Sequence, residues 1–224
     1  MKDLQKVGGY AAIAQGLGFV ALLIILFTVF VPKGLTPPVD PAKEIAAAAG
    51  SPAPFLIINL IVVLFSITII LVTLALNDRL QAGAPTRMRL AVIAATIGGA
   101  LFLANGIISF TGYPPLVLTL SLTDNAAAIA TVRALDAVVE GLLSAAIFAY
   151  GASALLWGWG ALSTKGLPMP LSYFVLLAGG VAVLSFVVPP FGLIGPVINV
   201  VWSLWLGWVL LRQPSPMAAA MTQA

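Results

Sequence analysis

The stretch FLIINLIVVLFSITIILVTLAL, residues 55–76, carries no charge and contains one strongly polar side chain, Asn59. A helix that crosses the hydrocarbon core of a bilayer needs roughly 20 mostly apolar residues in a row. The run is apolar on nearly every side of such a helix, which leaves no polar face for water. It therefore predicts a membrane-spanning helix, and comparable runs recur along the chain.

Six such runs predict an all-α protein, a polytopic transmembrane bundle of six helices. The spans fall at about residues 7–31, 55–76, 90–111, 134–159, 171–188 and 193–211. They form a single domain over residues 1–212, and residues 213–224 are predicted to be a mobile C-terminal tail. Short helices are predicted in the outer loops, one starting at Asp40 and Pro41 and another at Thr123 or Asp124, because such residues favour helix starts.

Composition places the chain in lipid. Charged residues make up 8% of its 224 residues, whereas a soluble domain has about 25%. Hydrophobic residues make up 61%, too many for a soluble globule of this size to bury. The net charge of +3 comes from scattered loop residues, and no run of Lys or Arg matches a nucleic-acid-binding patch. The lipid bilayer is therefore a predicted partner and nucleic acid is not.

The chain contains no Cys and no His. Their absence removes disulfide exchange, zinc and iron–sulfur ligation by these residues, His-ligated haem and every nucleophile that a His activates. Asp136 and Glu140 remain as a conceivable acid–base pair, but no nucleophile accompanies them. The sequence therefore predicts a non-catalytic protein and implies no cofactor or metal, although a bound lipid, quinone or pigment is compatible with it.

Basic residues are divided unequally between the predicted loops. If the N-terminus is inside, the cytoplasmic set is Lys2, Lys6, Arg79, Arg87, Arg89, Lys165 and Arg212, and the outer set is Lys33, Lys43 and Arg133. Cytoplasmic loops of membrane proteins carry the excess of Lys and Arg. This division predicts that both termini lie in the cytoplasm.

The segment RALDAVVEGLL, residues 133–143, places three ionisable side chains in an otherwise apolar helix. At about 100° per residue, Arg133, Asp136 and Glu140 fall on one face of the helix. Arg133 lies one turn from Asp136, so an ion pair between these two residues is predicted. If Trp157 and Trp159 mark the cytoplasmic interface, a rise of about 1.5 Å per residue puts Glu140 just below the outer boundary of the hydrocarbon.

Asn59, Asn105 and Asn199 are predicted at nearly the same depth as Glu140. One interpretation is a shallow, outward-open pocket in which these four residues and Asp136 bind a small ligand, a lipid headgroup or a proton. The other is a layer of interhelical hydrogen bonds that includes the ion pair to Asp136. The second interpretation is favoured, because polar groups near an interface are tolerated without a function.

Two further features are assigned to packing rather than to a site. Gln15, in the inner half of the first span, is interpreted as a lone polar group that holds helices together. The Trp residues, mostly at 157–159 and 202–208, are interpreted as anchors at the membrane interface.

Three segments of the second half carry a resemblance to a known family. They are AIFAYGASALLWGWGALSTKGLP (146–168), LSYFVLLAGGVAVLS (171–185) and WSLWLGWVLLR (202–212). Together with the spacing of the spans, they resemble a bacterial six-span integral membrane protein family of unknown function. Helix four of that family often carries an acidic residue close to a His; Asp136 matches the acidic position, whereas Val138 or Val139 stands in place of the His. The resemblance implies the architecture and a bacterial cytoplasmic membrane, and no mechanism.

These features predict a non-catalytic integral protein of the bacterial cytoplasmic (inner) membrane. Its predicted role is an accessory or structural subunit of a larger complex, with other integral membrane subunits as partners. The alternative is a small carrier, or a membrane protein that binds a lipid or another small ligand through the outward-facing polar layer.

Overall fold

A computed structural model describes residues 2–35, 41–120, 125–188 and 191–212. Within these ranges the regular elements are helices, and no strand occurs among them. The helices are α1 (Lys2–Ile25, continued by a π-helical turn, Leu26–Phe30), α2 (Pro41–Gly50), α3 (Ala53–Leu80), α4 (Pro85–Leu120), α5 (Asn125–Thr164), α6 (Met169–Ser185) and α7 (Phe191–Arg212).

Five helical segments have the length and apolar composition needed to cross a membrane. They are Asp3–Phe30, Ala53–Leu80, Pro85–Gly112, Ile129–Thr164 and Ile194–Arg212. The sixth predicted span falls on α6, an apolar helix of 17 residues. At about 1.5 Å per residue α6 is roughly 25 Å long, slightly less than the hydrocarbon thickness of about 30 Å. The chain is thus an all-helical, multi-pass membrane protein with five clear spans.

The connection between α4 and α5 is shorter than the sequence predicted. Helix α4 runs through Pro114 and Pro115 to Leu120, and α5 already begins at Asn125. The short loop helix predicted from Thr123 or Asp124 is not separate, because α5 is continuous from Asn125 to Thr164. Membrane helices tolerate Pro, which allows α4 to continue past residue 111. The first predicted loop helix is present as α2. The capping residues Asp40, Thr123 and Asp124 lie outside the described residues, as does the predicted tail at 213–224.

Six of the helices form a closed ring. In chain order, α1 packs against α3, α3 against α4, α4 against α5, α5 against α6 and α6 against α7, and α7 returns to α1. The short helix α2 contacts α4 and α5. We call α1 and α3–α7 the six-helix ring; its closure leaves an interior that every one of its members faces.

Glycines allow the closest approaches in this ring. At the α5–α6 contact, a Cβ atom built on Gly179 would lie 2.8 Å from the Leu155 nitrogen and 2.9 Å from the Gly151 oxygen. At the α1–α7 contact, a Cβ on Gly207 would lie 2.8 Å from the Gly9 oxygen. Both contacts are between backbones, as is typical where small residues pack membrane helices together.

Side-chain hydrogen bonds join helix ends at the same end of the ring. Gln5 Nε2 donates to the Ala75 oxygen at 2.8 Å, and the buried Arg79 donates from Nε to the Gly166 oxygen at 2.6 Å. The start of α1, the end of α3 and the α5–α6 turn therefore lie together. This end carries the seven basic residues predicted to be cytoplasmic, and we call it the basic end.

Three of the five Trp residues fit the predicted interface role and two do not. Arg87 lies over the Trp159 ring at 4.4 Å and Arg212 over the Trp208 ring at 3.9 Å, both at the basic end. Trp205 is also exposed. Trp157 and Trp202, in contrast, are fully buried inside the ring. Their interpretation as anchors is wrong, because helix rotation directs them to the ring interior rather than to lipid.

Candidate functional site

The interior of the ring holds a cavity of about 250 Å³, which we call the central cavity. All six ring helices line it, with Gln15, Phe19 and Leu22 from α1; Ile58, Val62, Phe65 and Ile69 from α3; Phe102 from α4; Leu143, Ile147 and Tyr150 from α5; Ala182 and Ser185 from α6; and Gly195, Pro196 and Asn199 from α7. Its wall is mostly aliphatic and aromatic, with few polar groups. Ligand sites in proteins have this character.

A chain of buried hydrogen bonds crosses the ring at the polar part of this wall. Gln15 Nε2 donates to the Tyr150 hydroxyl at 3.1 Å, and that hydroxyl donates to Asn199 Oδ1 at 2.7 Å. Trp202 Nε1 donates to the same Asn199 oxygen at 2.6 Å. The chain joins α1, α5 and α7, so it fixes three of the six helices around the cavity.

The direction of this chain is determined by Trp202. An indole N–H can only donate, so the Asn199 atom that faces it is the oxygen, and Asn199 Nδ2 donates to the Gly195 oxygen at 2.8 Å. The single hydroxyl hydrogen of Tyr150 must then point to Asn199. Its oxygen accepts from the amide nitrogen of Gln15, and Gln15 Oε1 is left buried without a hydrogen-bond partner.

Helix geometry explains why these three polar groups meet. Gln15, Tyr150 and Asn199 each lie about 20 Å along their helix from the basic end, at about 1.5 Å per residue. Antiparallel neighbours therefore bring them to one level of the bundle. Pro196 lies on α7 about one turn before Asn199 and also lines the cavity. It has no N–H group, so one backbone hydrogen bond of α7 is missing there.

Below the central cavity, towards the basic end, the ring is closed by aromatic side chains. The ring centroids of Tyr150 and Trp157 are 6.1 Å apart, and those of Trp157 and Trp202 are also 6.1 Å apart. Trp157 and Trp202 have no exposed surface. The cluster therefore lies between the cavity and the basic end, and not between the cavity and the opposite end of the ring.

A second cavity, of about 200 Å³, lies in that direction, and we call it the end cavity. Glu44 of α2 lines it together with Asn59, Asn105 and Ser109. Asn105 Nδ2 donates to the Val139 oxygen at 2.7 Å, which ties α4 to α5. Ile58, Val62 and Leu143 line both cavities. The two cavities are therefore adjacent, with these three apolar side chains between them.

Glu44 carries the most perturbed carboxyl group outside the spans. Burial, together with the smaller effect of repulsion from Asp136 and Glu140, raises the pKa of Glu44 from its ordinary value of 4.5 to about 7. Asp136 is half-buried, whereas Glu140 and Arg133 are exposed. The ion pair of Arg133 with Asp136 stays a prediction.

We expect the stability of the protein to depend on pH through Glu44. Between pH 4.5 and about 7 the folded state keeps a proton that the unfolded state loses, so the free energy of unfolding falls as pH rises through this window and is level above it. Glu44→Gln stays neutral and should remove this slope, raising the Tm by a few degrees at about pH 8 and little at about pH 4. Thermal unfolding in detergent measures it.

Asp3→Asn is the matched control for this measurement, since Asp3 is an exposed carboxylate at the basic end. It should keep the wild-type slope. Equal slopes for wild type and Glu44→Gln would contradict the assignment.

The polar residues singled out in the sequence occupy two levels instead of one. Asn59 and Asn105 line the end cavity, about 30 Å from the basic end at about 1.5 Å per residue, whereas Asn199 lines the central cavity about 10 Å deeper. Glu140 and Asp136 lie near Glu44 and line neither cavity. The structure therefore does not bring these five residues together in one pocket, and a binding role for them stays a prediction.

Three residues of the site were missed or misread in the sequence. Gln15 is not a lone polar group, because Tyr150 accepts its hydrogen bond. Tyr150 itself was overlooked among small residues, although a Tyr far from both ends of a span needs a partner for its hydroxyl. Glu44 sits in a loop helix, where a carboxylate is unremarkable until the fold places it against α4 and α5.

The chemistry open to the central cavity is hydrogen bonding and apolar contact. Its polar groups are neutral amides, a phenol and a hydroxyl. In the described ranges, no three carboxylate, His or Cys side chains converge to hold a metal ion. No protein-family profile, curated protein or solved structure matches this chain. The resemblance to the six-span family stays a prediction, and a function has to be argued from the cavity.

Proposed function

We propose that this protein binds a small, uncharged and mostly apolar molecule in the central cavity, as a carrier or ligand-binding membrane protein. The observation that carries the proposal is that all six ring helices contribute side chains to one cavity in the ring interior. An apolar cavity of about 150 Å³ in a soluble protein holds benzene, so a cavity of about 250 Å³ accommodates a molecule the size of two fused rings.

This proposal takes the alternative drawn from the sequence and moves its ligand from the outer polar layer to the interior. A subunit that packs against partners needs a contact surface on its outside, and a cavity lined by the interior faces of the helices contributes little to such a surface. Close-packed interiors contain few voids larger than a water molecule. A cavity that each helix lines therefore favours ligand binding over the accessory-subunit role, which stays a prediction.

The end cavity is the proposed route to this site. It adjoins the central cavity through Ile58, Val62 and Leu143, and the aromatic cluster closes the opposite direction. Side chains exchange rotamers far faster than ligands bind, so three apolar side chains form a barrier that a small molecule can pass.

We also propose that all six ring helices cross a bacterial inner membrane with both termini in the cytoplasm. The basic end then faces the cytoplasm, in agreement with the excess of Lys and Arg there.

The proposed topology can be tested with single cysteine substitutions, because the chain has no Cys of its own. Ala46→Cys, on α2, should react with an impermeant thiol reagent in intact cells, whereas Ala82→Cys, exposed at the basic end, should react only after lysis. The reverse pattern would overturn the orientation.

The binding proposal is tested by filling the cavity. Val62→Phe adds a ring at the boundary of the two cavities, and the affinity for methylnaphthalene should fall about tenfold or more as the available volume shrinks. Leu64→Phe is the matched control, because Leu64 is on the same helix, 50% exposed on its lipid face. Equilibrium binding to purified protein in detergent gives both affinities. Equal affinities for the two variants would show that the probe does not enter the cavity.

A further inference from the structure

We infer that the end cavity binds an organic cation, an ammonium group with small apolar substituents, and that the carboxylate of Glu44 is its counter-ion. The inference goes beyond the proposed function, because it assigns a second class of ligand to a second cavity. It does not depend on binding in the central cavity, so each of the two can fail without the other.

The position of Glu44 is the first step. Helix α2 packs against α4 and α5, and Glu44 of this helix lines the end cavity. The side chain is half-buried rather than fully buried, so part of it stays accessible. Ionising a carboxyl group in such a place is costly unless a positive charge accompanies it. A cation in the cavity supplies that charge.

Two aromatic rings are the second step. Phe30 and Phe55 line the same cavity, and their ring centroids lie 5.0 Å apart with an angle of 56° between the ring planes. The faces of aromatic rings attract cations, and proteins use such rings to recognise alkylated ammonium groups. The π-helical turn after α1, the start of α3 and helix α2 therefore border one space with two rings and a carboxyl group.

The rest of the wall favours an organic cation over a metal ion. Ile58, Val62 and Leu143 are apolar, and in the described ranges no three carboxylate, His or Cys side chains converge to hold a metal ion. Small metal cations need several oxygen ligands in exchange for their water, whereas an alkylated ammonium group buries its carbon atoms against apolar side chains. Benzene fills a cavity of about 150 Å³, so a cavity of about 200 Å³ accommodates a cation of similar size.

The charges around Glu44 act in the same direction. Asp136 and Glu140 of α5 act on Glu44 and make its surroundings more negative. Helices α3 and α4 add no charge at this end, because residues 53–77 and 90–120 contain no Asp, Glu, Lys or Arg. The basic residues of the predicted outer set are all exposed: Lys33, Lys43 and Arg133.

The first experiment compares phenyltrimethylammonium with tert-butylbenzene, which has nearly the same shape and no charge. Equilibrium binding of both is measured in a non-ionic detergent at about pH 8. Glu44→Gln should weaken binding of the cation about tenfold or more and leave the neutral probe unchanged. Asp3→Asn is the matched control, since it removes the same charge from an exposed position at the basic end and should bind like wild type.

The pH dependence of the cation's affinity identifies the counter-ion. Phenyltrimethylammonium does not titrate, so any change with pH comes from the protein. With a pKa of about 7, Glu44 is ionised above this pH and takes up a proton below it. The affinity of wild type and Asp3→Asn should therefore fall several-fold between about pH 8 and about pH 6, and that of Glu44→Gln should stay level.

A second variant keeps the inference testable if Glu44→Gln does not fold. Phe55→Leu removes one of the two rings, and it should weaken binding of the cation several-fold more than binding of tert-butylbenzene. Phe27→Leu is its control, because Phe27 is 61% exposed on the outside of the ring and does not line the end cavity. It should leave both affinities unchanged.

An ammonium group can come from a soluble amine or from a phospholipid headgroup, and nanodiscs distinguish the two sources. Phenyltrimethylammonium binding is measured in phosphatidylglycerol nanodiscs with and without phosphatidylcholine. The affinity of wild type relative to Glu44→Gln cancels the attraction of the probe to the anionic lipid. Phosphatidylcholine reduces this relative affinity if its headgroup occupies the cavity, and leaves it unchanged if the ligand is soluble. Both results support an ammonium site.

The inference is overturned if wild type does not bind phenyltrimethylammonium. It is also overturned if Glu44→Gln and Phe55→Leu change the affinities for the cation and for tert-butylbenzene equally. Neither result bears on the proposed function, which is tested separately with methylnaphthalene. A preference for the cation that Glu44→Gln removes and Asp3→Asn keeps supports the inference.

Discussion

Gly179→Leu is expected to prevent assembly of the ring. Any side chain at this position would start 2.8 Å from the Leu155 nitrogen and 2.9 Å from the Gly151 oxygen, and neither backbone atom can move without separating α5 from α6. Cβ atoms do not approach other atoms this closely, and a leucine adds three more carbons behind the clash. Overpacking costs typically about 1–3 kcal/mol where neighbours can adjust, and rigid backbone neighbours put this case above that range. The yield of monodisperse protein in size-exclusion chromatography should fall to near zero.

Gly180→Leu is the matched control, since it introduces the same side chain one residue later. A Cβ atom at Gly180 meets nothing within 4 Å, so this variant should purify like the wild type. Because both substitutions remove one glycine from α6, helix propensity is the same in each. If Gly179→Leu purified as well as Gly180→Leu, the close α5–α6 contact would not exist in the membrane.

Asn199→Leu is expected to give the second largest effect, a loss of about 2–4 kcal/mol in the free energy of unfolding. The substitution removes the oxygen that accepts hydrogen bonds from both Tyr150 and Trp202. If the Gln15 amide rotates so that Oε1 replaces Nε2 beside Tyr150, the Tyr150 hydroxyl can donate to Oε1, which has no partner among the described residues. The indole of Trp202 is fully buried and has no such alternative, so its stranded N–H accounts for most of the loss.

Adding Gln15→Met to Asn199→Leu tests this explanation. The double variant removes the alternative acceptor of Tyr150, and its loss should exceed the sum of the two single losses. Asn77→Leu is the control, because Asn77 makes only an exposed hydrogen bond, to Gln81, at 3.4 Å. It should change the free energy of unfolding by less than about 0.5 kcal/mol. Unfolding in mixed micelles followed by Trp fluorescence gives all four values, and strictly additive losses would exclude the rearrangement.

The helices were predictable because a long run of apolar residues is sufficient to identify a membrane-spanning helix. Runs such as 55–76 and 90–111 contain enough apolar residues to cross a bilayer and almost no competing signal. What the runs do not encode is which helices become neighbours. The contact between α1 and α7 depends on glycines that look like any other small residues in the sequence.

Some polar residues of the site could be identified from the sequence, but which of them contact one another could not. Asn59, Asn105 and Asn199 stand out in apolar helices, but depth alone placed them in one layer, and the structure places Asn199 with Gln15 and Tyr150 instead. Which polar residues meet depends on the rotation of each helix about its axis and on which helices are its neighbours in the ring. Neither can be derived from the sequence of one helix alone. Trp157 shows the same limit, because a Trp near the end of a span can face either lipid or the interior.

Closure of the ring by α1 and α7 sets an order for biogenesis. Among the ring helices α1 is synthesised first, yet one of the two helices that flank it, α7, is synthesised last. Until α7 arrives, Tyr150 has no Asn199 to bond and the interior is open to lipid on one side. The other five ring helices therefore form an open groove until α7 inserts between α6 and α1 and completes the ring. The hydrogen-bond chain of Gln15, Tyr150 and Asn199 is complete only once this last helix has inserted.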